Sequence, residues 1–97
     1  MQIMVRTYSG IGSNALFDVL ERHTADVEKL FRSVEGFVAY TLARTSDGGF
    51  SITMCQSKAG IDDSVRKAQD WIAKNAASTG VARPTILDGS TVLHVTR

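Results

Sequence analysis

Few residues in this chain have chemistry beyond packing: two histidines, one cysteine, one tryptophan, and the arginines and tyrosines on β-rich segments. His94 lies in "TVLHVTR", and an imidazole that titrates near neutral pH is the natural acid or base of a small site. Arg6, in "QIMVRTY", offers a fork of donors that can hold a carboxylate or a phenolate. His94 and Arg6 are therefore the expected catalytic pair. Tyr40, Trp71, His23 and Thr41 are the expected ligand contacts. Each also has a plain structural reading. His23 fills a gap in an apolar helical stripe, where a histidine is commonly a hydrogen-bonded residue at the core edge. Trp71 suits a helix flank, and arginine and histidine are ordinary on a solvated strand. Cys55, between Met54 and Gln56 with no charged neighbour in sequence, reads as a buried thiol rather than a nucleophile.

Other chemistries lack their residues. Two histidines and one cysteine without close spacing make no zinc site, so no metal is expected. Gly10-Ile11-Gly12 lacks the later glycine and the βαβ context of a dinucleotide fingerprint. Asp62-Asp63 reads as a charge pair favouring a helix N-terminus. No serine sits in a nucleophile elbow.

Periodicity assigns the elements that must position these residues. Gln2 to Tyr8 alternates as a strand. Gly10 to Asn14 breaks it, with Ser13 or Asn14 available as a helix cap. A helix to about Ser33 carries the stripe Leu16, Leu20, Val27, Leu30 and Val34, and Gly36 ends it in a left-handed conformation that suits glycine. Phe37 to Thr45 and Phe50 to Gln56 are β-rich, joined through Asp47-Gly48-Gly49 as a hairpin. A second helix spans about Ala59 to Ala77 with Ile61, Val65, Ala68, Ile72 and Ala76 inward. A last strand is expected at Thr91 to Thr96, with a short extended piece at Thr85 to Leu87. The order β-α-β-β-α-β predicts an α+β, ferredoxin-like split-βαβ fold with an antiparallel four-stranded sheet and both helices on one face.

Strand alternation then sorts the sheet faces. A three-residue Asp47-Gly48-Gly49 loop pairs Ser46 with Phe50. Val38, Tyr40, Leu42, Ile52 and Met54, with Ile3, Val5, Leu93 and Val95, fall under the helices. Phe37, Ala39, Thr41, Ala43, Ser51, Thr53 and Cys55 form a small, polar open face, joined by Arg6, Tyr8 and His94. Such a face is either a ligand wall or a surface that a second sheet can approach closely.

Composition sets the bounds. The 97 residues suit one domain, 1–97. A net charge of +1 lacks the electrostatic footprint of nucleic-acid binding. No apolar run approaches membrane-spanning length, and the N-terminus has no secretory-signal pattern. With its single cysteine, the chain is expected in a reducing, cytoplasmic setting.

"VEGFVAYTLARTSDGGFSITMCQSKAG", within that element order, resembles the dimeric α/β-barrel superfamily, and more narrowly its antibiotic-biosynthesis-monooxygenase-like members. The resemblance is carried by Gly36-Phe37-Val38-Ala39-Tyr40-Thr41-Leu42 and by a strand running directly into the second helix. It implies a homodimer, a dimeric α/β barrel closed by the open sheet faces, and a small-molecule site. One implied activity is a cofactor-independent monooxygenase acting on an aromatic substrate. The alternatives are a non-catalytic ligand-binding or regulatory dimerisation module, and haem binding or degradation. The family's Asn-Trp-Tyr-Arg and Asn-Trp-His sets are not matched residue for residue, so no cofactor is assigned beyond the haem alternative.

Overall fold

The computed structural model describes all residues, Met1–Arg97. Along the chain run β1 (Gln2–Ser9), α1 (Ser13–Arg22), α2 (Thr24–Arg32), β2 (Phe37–Thr45), β3 (Gly48–Cys55), α3 (Lys58–Asn75), a 3₁₀ turn at Ala77–Thr79, and β4 (Thr85–Ser90). The strands form one antiparallel sheet in the order β2-β3-β1-β4. The helices pack on one face of it, α1 and α3 over β3 and β1 and α2 beside β2.

The expected first helix is two helices. The chain bends at His23, whose backbone (φ −125°) leaves the helical region. Buried residues fall at Leu16, Phe17 and Leu20 before the bend and at Val27 and Phe31 after it. A bend at the polar gap thus lets each half aim its own apolar stripe at the sheet. Neither Ser13 nor Asn14 caps α1; Gly12, with φ +80°, holds that place without a side-chain bond. Gly36 does end α2's connection in the left-handed region, at φ +63°. In α3 the expected stripe faces inward, with Ile61 and Ala68 buried, and Ala76, just past the helix end, is buried too.

The hairpin differs from expectation in a way that reverses much of the sheet. Thr45 pairs with Gly48 across a two-residue Ser46-Asp47 turn, and Tyr40 pairs with Thr53. The two glycines belong to the strand because the helix lies directly over them. A side chain at Gly49 would collide with the Phe17 ring, and one at Gly48 with Ser13 and the Tyr8 carbonyl. The pairing is three residues out of the expected register, and an odd slip moves a whole strand's side chains to the other face. Met4, Arg6, Tyr8, Ser51, Thr53 and Cys55 therefore lie under the helices and are buried. Ile3, Val5, Phe50, Ile52 and Met54 take the open face. The β2 sorting of Tyr40 and Leu42 inward and Ala39, Thr41 and Ala43 outward is as expected. A bulge between Phe37 and Ala39 turns Phe37 inward as well.

The fourth strand is Thr85–Ser90, not Thr91–Thr96. Its register runs from Thr7 opposite Thr85 to Gln2 opposite Ser90 and exhausts the free edge of β1. Residues after Thr91, whose N–H donates to the Met1 carbonyl at 2.8 Å, run past the start of β1 and pair with no strand. Val92, Leu93 and Val95 are exposed there.

The core between sheet and helices contains Met4, Tyr8, Leu16, Phe17, Leu20, Val27, Phe31, Ile61 and Ala68. Burying a large apolar side chain contributes about 1.5–3 kcal/mol, so Leu16 and Phe17, both fully buried, are principal anchors. At the rim, Arg44 ties β2 to α1 through Asp18 at 2.8 Å and Glu21 at 3.2 Å. Asp63 ties α3 to the turn before β2. It accepts the Glu35 N–H at 3.2 Å and pairs with Lys67 at 3.1 Å and with Arg66. The Lys67 contact, then the Glu35 bond, holds its carboxyl below the ordinary value.

A candidate ligand site beneath the helices

Arg6 on β1 is the least ordinary side chain in the molecule. Alternation from Met4 and Tyr8 points it inward under the helices, where it is 4% exposed. Its Nε has no hydrogen-bond partner and it enters no ion pair; the other arginines without an ion pair, Arg22, Arg83 and the terminal Arg97, are all exposed to solvent. A buried polar group normally has a partner, and a buried charge is costly without one. A guanidinium cannot escape that cost by shedding its proton. Arg6 thus holds unused donor capacity inside the fold.

Around it lies a cavity of about 30 Å³, between Arg6, Tyr8, Ser51, Tyr40 and Leu42 on the sheet and Leu20, Val27, Leu30, Phe31, Ala68, Trp71 and Ile72 on the helices. One end is polar and the rest apolar, the pattern of a ligand site, but the enclosed space itself is only large enough for a water or two. On the α3 side it continues, through shared Arg6, Tyr8 and Ile72, into a groove of about 580 Å³ walled by Gln69, Ala73 and the Val81–Pro84 segment. On the α2 side, Val27, Phe31, Tyr40 and Leu42 also border a hollow of about 320 Å³.

The polar end is a set of donors. Burial pushes the Tyr40 phenol up to about 12, against the opposing pull of Arg6 and Ser51. Burial likewise raises Tyr8, with Arg6 pulling the other way. Both phenols therefore keep their protons at neutral pH and can donate. The hydroxyls of Ser51 and the neighbouring Thr53 are buried and unpartnered too. No carboxylate and no histidine lines the cavity.

Of the expected site residues, the structure brings together Arg6, Tyr40 and Trp71. Tyr40 stacks on Phe31, ring centroids 3.6 Å apart and planes at 15°. Trp71 meets the His23 ring edge-on at 5.8 Å, which places His23 just outside the cavity lining, half-buried. There its Nδ1 lies 3.4 Å from the Asp26 carboxylate. Two residues are not brought in. Thr41 projects from the opposite face of the sheet and is exposed. His94 is exposed in the unpaired segment after β4, because β4 already occupies the edge of β1 that would turn it toward Arg6. Cys55 is buried, free and pushed up by burial, consistent with an inert thiol. The sequence reading had assigned Tyr8 and Ser51 to the wrong face and passed over Phe31. Phe31 lies four residues after Val27 on the apolar stripe, and that spacing was the available signal.

No family model matches the chain, and no curated protein matches it. Solved structures do. A protein of unknown function from Nitrosomonas europaea is 20% identical, with a TM-score of 0.70 over 99% of this chain and 92% of that one. A Streptomyces coelicolor monooxygenase, solved in complex with nanaomycin D, is 16% identical, with a TM-score of 0.66 over 99% and 91%. The haem degrader MhuD of Mycobacterium tuberculosis, with two haems bound in its active site, is 17% identical, with a TM-score of 0.67 over 99% and 100%. These likenesses show the fold, an α+β, ferredoxin-like one shared with a monooxygenase and a haem degrader. No helix is long and apolar enough to cross a membrane.

Proposed function

We propose that this chain is a homodimeric small-molecule-binding protein whose ligand, an aromatic compound, sits between the sheet and the helices. The observation that carries the reading is Arg6, buried and unpartnered at the one polar end of an otherwise apolar cavity. Arg6, Tyr8 and Tyr40 orient the ligand, and Trp71, Phe31 and Ile72 pack its rings. Dimerisation is supported by the open sheet face, where the half-buried Ile3, Val5, Phe50 and Ile52 are more apolar than a solvated sheet needs. Pairing two such faces would close the barrel.

Cofactor-independent oxygenation is the reaction this site favours. Its donors would stabilise the oxyanion of an electron-rich phenol, and the Streptomyces coelicolor neighbour is a monooxygenase. The absence of any histidine or carboxylate from the lining supports a second, non-catalytic reading, in which the site binds without moving a proton. An oxygen electrode with an anthrone-type phenol separates the two: enzyme-dependent oxygen uptake selects the first, and binding without uptake the second.

Binding itself is read from Trp71, the single tryptophan and a cavity wall. Aromatic probes such as 1,4-naphthoquinone should quench its fluorescence saturably. Linear, collisional quenching across a panel of charged and neutral aromatics would sink the proposal. A Soret band formed with haem and lost on His23→Ala would instead favour haem binding.

A further inference from the structure

The groove on the α3 side reaches Arg6 from outside, and its shape and chemistry restrict what can occupy it. Its sides are apolar, from Ile72 and Ala73 on α3 and from Val81, Pro84 and Ile86 opposite. The opposite wall is fixed in place. Thr79 and Val81 backbone atoms stand where any side chain on Gly12 would go, and the Val81 N–H donates to Thr79 Oγ1 at 3.3 Å. At the inner end stands buried Arg6, and at the outer rim stands Arg83, exposed and outside every ion pair. The volume of about 580 Å³ is ordinary for a small-molecule site. The hollow on the α2 side, by contrast, does not border Arg6, and its Arg32 is already bound to Glu28 at 2.9 Å.

Resting on the reading of the cavity as a ligand site, we propose that the ligand is an aromatic acid carrying one oxyanion. It enters through the groove between α3 and Val81–Pro84 and seats that oxyanion on Arg6. An unpartnered buried guanidinium selects a negative oxygen over a neutral one, because the charge-assisted bond replaces a solvation that burial has removed. The Tyr8 and Tyr40 phenols flank the same spot as further donors. Arg83 steers the acid to the groove and is spent at the rim, where solvent screens it.

The test is isothermal titration calorimetry at pH 7 with 1-naphthoate, its methyl ester and 1-naphthol. Naphthoate should bind at least about tenfold more tightly than the ester, the discrimination typical of a charged hydrogen bond. Arg6→Met should remove the preference for naphthoate over the ester, weakening naphthoate much more than the ester, and Arg6→Lys should retain part of the preference. Ala73→Trp, a solvent-facing change on the groove wall, should weaken naphthoate, while Glu28→Trp on the α2 side should not. Equal affinity for naphthoate and ester, parity of 1-naphthol with naphthoate, or a naphthoate affinity indifferent to Arg6→Met overturns the anion seat. In each of those cases the aromatic cavity itself stands. Binding blocked by Glu28→Trp and not by Ala73→Trp overturns the entry route. No binding of any of the three removes the ligand site and this inference together.

Discussion

The two faces of the sheet come from the same alternating strands and are built on opposite plans. The face beneath the helices contains a charged arginine, two tyrosines and three small hydroxyl or thiol side chains at Ser51, Thr53 and Cys55. The open face contains Ile3, Val5, Ile52, Phe50 and Met54. Hydrophobicity alone would exchange them. What decides is that the helices bring their own apolar stripes, Leu16, Phe17, Leu20, Val27 and Phe31, so the sheet beneath them can be small and polar. The open face has no helices, and its apolar strands carry no cover within the chain beyond one another. Polar residues are gathered where a ligand could be enclosed, and apolar ones where a second sheet could pack.

The contrast can be broken from either side. Phe17→Ala, which removes the ring over Gly49, should destabilise the fold by about 3–5 kcal/mol in a denaturant titration. Ile52→Asp should leave the secondary structure intact by circular dichroism but convert a dimer to a monomer in light scattering, at a cost of about 3 kcal/mol or more for the buried charge. A wild-type chain that is monomeric at micromolar concentration would refute that plan for the open face.

Arg6→Met should act in the opposite direction from a usual core change. Replacing an uncompensated buried charge with a methionine should raise unliganded stability by about 1–4 kcal/mol, seen as a higher Tm. A lower Tm would mean that Arg6 is structurally satisfied after all.

The smallest effect concerns Tyr40. Its folded-state pKa is raised from 10.0 to about 12, chiefly by burial. The stability tied to its neutral form is thus fully present below pH 10.0 and is lost as pH rises toward about 12. Tyr40→Phe should flatten the alkaline limb of a stability-against-pH curve in that window. An unchanged limb would show that Tyr40 does not titrate with unfolding.

Much of this was legible in the sequence. The helical stripes, the glycine at the end of the first helical region and the β-α-β-β-α-β order all follow from local spacing. Arg6, Tyr40 and Trp71 were singled out there by residue type, but the expected register put Arg6 and Tyr40 on opposite faces of the sheet, and only the fold brings them together. The errors share one source. Asp47-Gly48-Gly49 is a strong turn signal, yet Gly48 and Gly49 are strand residues under Phe17 and Ser13, and the resulting three-residue shift, being odd, exchanged the faces of β1 and β3. His94 failed for a related reason: the alternation in Thr91 to Thr96 is real, but β4 had already used the free edge of β1.

By itself, then, the sequence determined the elements, because helix and strand periodicity are local properties of side-chain spacing. Register, strand partnership and the side on which Arg6 lies were decided only by the tertiary structure. They depend on which backbone a distant helix lets approach, and on how much hydrogen-bonding edge another strand leaves free. No local pattern carries either.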